Sequence, residues 1–98
     1  MRMMVTAKFP VEAANAAIAD GRFAKTLQMV LGRLKPESAY FSAVDGCRTA
    51  TIVFDLAEAS DIPFLLEPLF AEMHAAIDLV PVMTADDVAA GLAKASAG

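Results

Sequence analysis

The sequence predicts a two-layer α+β domain: a four-stranded antiparallel sheet with helices on one face, in the order strand, helix, strand, strand, helix, strand, plus a short terminal helix. Three observations carry that prediction. Asp45-Gly46 lies between two alternating runs, Ser38 to Val44 and Cys47 to Asp55, which is the pattern of a two-residue hairpin. Met3, Val5, Ala7 and Phe9 alternate with Met4, Thr6 and Lys8 at the period of a half-buried strand. Phe23, Leu27, Val30, Leu31 and Leu34 recur at the spacing of an amphipathic helix.

Met3 to Phe9 is the first strand, and Pro10 ends it and can open a helix. Val11 to Ala19 is rich in Ala with Glu, Asn and Ile, a helix-favouring composition that Asp20-Gly21 interrupts. Gly21 can terminate this helix while Asp20 caps the next, so one bent helix and two separate helices both fit residues 11 to 34. The second half of this segment carries the core face, and Lys35-Pro36 stops it. The hairpin follows. With a type I′ turn, facing residues sum to 91, which sets Tyr40 against Thr51, Ser42 against Thr49, Phe41 against Ala50 and Ala39 against Ile52.

Beyond Asp55, Ser60 or Asp61 is the expected N-cap of the next helix, with Pro63 in its first turn. Ile62, Leu65, Leu66, Leu69 and Met73 share one face of that helix, whereas Phe64 points to the opposite side and has no place in the core. Pro68 removes a backbone donor and is expected to bend the helix near Phe64 to Leu66. Ala76 to Met83 is the last strand, Ile77, Leu79 and Met83 alternating against Asp78, Val80 and Val82, and Pro81 confines it to an edge. Thr84 and Asp87 form a capping box for a terminal helix over about residues 85–95, with Val88 and Leu92 as a thin apolar stripe and Lys94 to Gly98 frayed.

This order is the split βαβ arrangement of a ferredoxin-like domain, whose right-handed crossovers place both main helices on one side of the sheet. Ala39, Phe41, Ile52, Phe54, Val5 and Phe9 should then meet Leu27, Leu31, Leu66 and Leu69. The other face is left bare, carrying Met4, Thr6, Lys8, Ser38, Tyr40, Ser42, Thr49, Thr51, Val53, Asp55, Asp78, Val80 and Val82. It mixes apolar and hydroxyl groups with few charges. Two such faces opposed about a two-fold axis would bury the apolar part and enclose a semi-polar cavity, so a homodimer with a small-molecule ligand is expected.

Length and composition limit the alternatives. A chain of 98 residues is one domain, residues 1–98, large enough to fold without disulfides or metal. A net charge of −4, with eight scattered Lys and Arg, argues against nucleic acid or an anionic membrane surface as partner. The hydrophobic content of 57% includes 21 alanines and reflects small helix formers rather than a lipid-soluble segment. Lys8 and Glu12 interrupt the apolar run that a signal peptide needs, so a cytoplasmic protein is expected. Cys47 is the single cysteine and has no internal partner; as the residue after a tight turn it reads as a small strand-end side chain.

Over its whole length the chain resembles small bacterial proteins of the dimeric α+β barrel type within the ferredoxin-like fold. The stretches carrying the resemblance are Phe9-Pro10-Val11-Glu12, Lys35-Pro36-Glu37-Ser38-Ala39-Tyr40-Phe41, Asp45-Gly46-Cys47-Arg48-Thr49-Ala50 and Glu67-Pro68-Leu69-Phe70. Members of that group with known activity include cofactor-free monooxygenases of antibiotic biosynthesis, haem-degrading enzymes and muconolactone-type isomerases. The resemblance therefore implies a pocket and leaves the reaction open.

No residue cluster has the spacing of a known catalytic or cofactor site, so the sequence does not determine a function. Lys8, Tyr40, Asp55 and Asp78 could converge on the bare face, where burial would shift a pKa toward proton-transfer use; otherwise Tyr40 and Thr51 are an ordinary cross-strand pair and the charges are solvated. Tyr40, Thr51 and Arg48 are the candidate ligand-binding residues, Arg48 holding an anionic group at the barrel mouth. His74, the only histidine, stands at a helix end, a position better suited to the helix dipole than to haem ligation or acid–base work. No metal site is expected, because no second His and no Cys lie at ligand spacing. No cofactor is expected either: Gly21 and Gly32 are wrongly placed for a phosphate loop. The functional expectations are a homodimer binding a small organic molecule at the free sheet face, an assembly module without catalysis that uses sheet-face pairing or the exposed Phe64 to join itself or another protein, or a cofactor-free monooxygenase or isomerase using Lys8, Tyr40, His74 or Asp78.

Overall fold

A computed structural model describes all residues, Met1 to Gly98. The elements are β1 (Arg2–Lys8), α1 (Val11–Ala19), α2 (Arg22–Leu34), β2 (Ser38–Val44), β3 (Cys47–Asp55), a 3-10 turn (Ala59–Asp61), α3 (Ile62–Met73), β4 (Ala76–Pro81) and α4 (Ala85–Ala97). The four strands form one open antiparallel sheet in the order β2-β3-β1-β4, an α+β architecture compatible with a ferredoxin-like fold.

The hairpin follows the residue chemistry of its turn. Asp45 and Gly46 both take positive φ, 52° and 75°, as a type I′ turn requires, and the pairs Tyr40 with Thr51, Phe41 with Ala50 and Ala39 with Ile52 form as expected. Residues 11 to 34 form two helices. Gly21 adopts φ 83° at the junction, and Asp20 accepts hydrogen bonds from the Arg22 backbone N–H (3.0 Å) and side-chain Nε–H (2.7 Å), capping the second helix through its carboxylate.

The core is a single layer between the helices and one face of the sheet. Val5, Ala7 and Phe9 of the first strand segment, Ala50, Ile52 and Phe54 of β3, and Leu65, Leu66, Leu69 and Met73 of α3 are buried together. Two sequence expectations need correction here. The helix of residues 11–19 also contributes to the core: Ala14 and Ala17 are fully buried in the same cluster as Ala7 and Ala50. The buried line of α2 runs through Thr26, Val30 and Leu34, leaving Phe23, Leu27 and Leu31 half-buried on its flank.

Helix α3 runs unbroken through Pro68. Proline has no N–H, so the Phe64 carbonyl one turn earlier loses its helical donor. Arg33 of α2 replaces it: Nη1 donates to the Phe64 carbonyl at 2.8 Å, and the guanidinium carbon stands 4.0 Å from the centre of the Phe64 ring. Phe64 is thus outside the core, as expected, and lies under a cation. At the other end, His74 takes the left-handed conformation (φ 53°) and its N–H donates to the Phe70 carbonyl, closing the helix with an αL cap, while the Ala75 N–H donates to Leu69.

Strand β4 ends at Pro81 and is an edge strand; Met83 is outside it and exposed. Helix α4 begins with the expected capping box, both Thr84–Asp87 hydrogen bonds being present, and continues to Ala97 without fraying at Lys94. It has no buried residue. The molecule measures 56 × 28 × 18 Å with a radius of gyration of 15.8 Å, above the roughly 13 Å of a compact domain this size. No helix is long and apolar enough to cross a membrane.

Candidate functional site

The strand register arranges the free face in rows. Ser38, Val53, Met4 and Val80 form the first, Tyr40, Thr51, Thr6 and Asp78 the second, and Ser42, Thr49, Lys8 and Ala76 the third. Tyr40 and Asp78 therefore occupy opposite edges, three strand spacings or about 14 Å of backbone apart. Tyr40 is 71% exposed and Asp78 is also exposed.

Lys8 turns away from Asp78. Its Nζ reaches Asp45 in the hairpin turn at 2.7 Å, and its cross-strand neighbour Thr49 is only 2% exposed although its register places it on the free face. The Thr49 hydroxyl donates to the Cys47 carbonyl at 3.1 Å. The hydrogen bond and charge of Asp45 raise the Lys8 pKa above its ordinary 10.5, and Lys8 lowers that of Asp45 below 3.8. Asp55 belongs to the far end of the sheet, where it pairs with the amino group of Met1 at 2.8 Å. His74 lies at the end of α3, exposed, and its imidazole makes no hydrogen bond within the chain. Within one chain these groups do not meet, and no three His, Cys, Asp or Glu side chains are grouped to hold a metal.

Of the three residues expected at a ligand site, Tyr40 and Thr51 pair on the free face and Arg48 projects to the other side, where its Nη1 donates to Asn15 of α1 at 2.9 Å. There a cavity of about 420 Å³ opens between the hairpin and α2, lined by Phe9, Phe23, Leu27, Phe41, Ser42, Arg48 and Thr49. Phe9 and Phe23 meet edge to face, 5.2 Å between centroids at 71°. Phe41 is 53% exposed although it shares a cross-strand row with the buried Ala50 and Ala7. The helix layer covers β1 and β3 and stops short of the β2 edge, which opens the cavity.

Alternation in β3 places Arg48 opposite in sense to Thr49 and Thr51, so its side could have been read from the hairpin register. Asn15 and the gap over β2 carry no sequence signal, since both depend on how far the helices lie from that edge. Two further cavities, about 450 and 330 Å³, flank Arg33 and Phe64. Comparison of the chain with family models, curated proteins and solved structures finds no match.

Proposed function

We propose that this chain is a cytoplasmic, ferredoxin-like protein that works as a homodimer and encloses a small organic molecule against the free sheet face. Read from its other edge, the strand order is β4-β1-β3-β2, with each parallel pair separated by an antiparallel strand, and this supports the finer fold assignment. One observation carries the dimer: two apolar surfaces lack any partner in their own chain. The sheet face presents Met4, Val53, Val80 and Tyr40, and α4 presents Val88 and Leu92, 42% and 64% exposed.

Area is the argument for joining both surfaces in one interface. Four strands about 4.8 Å apart and some 20 Å long present roughly 300–400 Å² of flat face. A stable dimer covers about 800 Å² on each partner. Side chains raise the accessible area of that face above its flat projection, and α4 laid across the opposing protomer adds a further apolar strip toward a stable interface. In that arrangement Tyr40, Thr51 and Thr6 line the enclosed space with hydroxyls, a lining suited to a semi-polar molecule.

Native mass spectrometry at micromolar concentration tests the reading. The expected result is a dimer, with retained small-molecule mass in gently purified protein, and a Val88→Ser/Leu92→Ser variant shifted to monomer. A monomeric parent protein overturns the reading. Assembly without a ligand is the second reading, favoured because none of the three main cavities is lined by Tyr40, Thr51 or Thr6; a tightly packed sheet-to-sheet contact in the dimer would select it.

A further inference from the structure

We propose that the cavity between the hairpin and α2 is a separate binding site for a small apolar carboxylate of about one-ring size, its hydrocarbon end among Phe9, Phe23, Leu27 and Phe41 and its carboxylate on Arg48. The site is complete within one chain and opens on the side of the sheet away from the face described above. At about 420 Å³ it falls among cavities that take small organic ligands.

The walls are of two kinds. Phe9 is 1% exposed and locked against Phe23 by their edge-to-face contact, a rigid apolar wall that needs no ordering when a ligand enters. Phe41 forms the opposing wall and is half in water, because no helix covers the edge strand that carries it. A ligand between the two walls would remove this aromatic surface from water, the contact that β2 lacks within the fold.

Arg48 determines the charge of the ligand. Arg2, Lys8 and Arg22 each hold a carboxylate, whereas Arg48 is in no ion pair. Its one hydrogen bond, Nη1 to the Asn15 side-chain oxygen, uses a neutral acceptor and leaves guanidinium N–H groups available. Asn15 thus anchors the fork without neutralising it. A carboxylate matches the planar donor pair bidentately, and an amide of the same shape does not. In a chain of net charge −4 this local cation is what allows an anion to approach.

The test uses ¹⁵N-labelled protein titrated with 3-phenylpropanoate and, separately, with the uncharged 3-phenylpropanamide. Amide-resonance shifts are expected at Phe41, Ser42, Arg48 and Thr49, with the acid binding about tenfold or more tightly than the amide. Arg48→Met is expected to remove that difference, and Phe41→Ser to weaken both probes equally; both parent side chains are exposed, so folding is verified by the unchanged remainder of the spectrum. Val88→Ser/Leu92→Ser leaves binding intact, which separates this site from the dimer proposal. Equal affinity for acid and amide, shifts centred on Thr6 and Thr51 or on α4, binding indifferent to both variants, or no shift up to roughly 10 mM probe would each overturn the assignment.

Discussion

Helices α3 and α4 have nearly the same length, 12 and 13 residues, and are held by opposite means. The first has poor local chemistry: a proline in its middle, no side-chain cap at its start, and a histidine in a left-handed conformation at its end. Four of its residues are nevertheless buried, and packing holds it. The second has a complete capping box, acidic groups in its first turn and a lysine in its last, yet buries nothing. Helix propensity thus describes α4 well and α3 badly, and burial reverses the order. An isolated helix of this length is marginal in water, and within its own chain α4 has only its cap and end charges to hold it.

The largest way to break this contrast is to remove packing from α3. Leu69→Ala deletes a side chain that is 1% exposed, and chemical denaturation should show a loss of about 2–5 kcal/mol. A smaller loss follows from Arg33→Met, which leaves the Phe64 carbonyl without its donor and the ring without its cation. The same measurement should read about 1–2 kcal/mol, given a charged hydrogen bond and a surface cation–π contact.

Thr84→Ala sharpens the contrast from the other side. Loss of the cap costs about 1 kcal/mol in the helix it caps. Because α4 buries nothing in its own chain, far-UV circular dichroism should report lost helix while the denaturation midpoint, read in a Val88→Ser/Leu92→Ser background that removes the proposed dimer contact, stays in place. A shifted midpoint would show that α4 is coupled to the core.

The smallest effect is one of pH. Hydrogen bonds from the Thr84 backbone and side chain, with the nearby charge of Arg2, hold the Asp87 carboxyl below its ordinary 3.8. The cap is therefore fully present above that value and is lost as pH falls through the lower folded value. Helical signal from α4 should decrease in that acidic window, and Asp87→Asn should flatten the dependence. The Lys8–Asp45 pair behaves as two surface groups: Asp45 loses its contribution in acid, and Lys8 loses its own as pH rises above 10.5.

Much of the fold was legible because its decisive signals are local. The Asp45-Gly46 turn imposes the hairpin register, Thr84 and Asp87 mark the start of α4, and the apolar face of α3 can be read from spacing alone. What escaped depends on layer geometry. Thr26 is buried and Leu27 only half-buried, a difference set by how α2 sits against the rest of the fold and not written in the periodicity of the helix. The candidate sites divide the same way. The pairing of Tyr40 with Thr51 follows from the turn, whereas the reach of Lys8 to Asp45 and the gap that exposes Phe41 arise from tertiary distances.

The bond from Arg33 to the Phe64 carbonyl has a kinetic meaning as well. Every other main-chain acceptor inside a helix can be satisfied as the helix winds, but this one waits for a residue 31 positions earlier in the chain. Until α2 has docked, this carbonyl can be satisfied only by water, so α3 can wind first and gain its last hydrogen bond within the chain on docking. In folding experiments Arg33 should report late, with its substitution accelerating unfolding and leaving the refolding rate nearly unchanged.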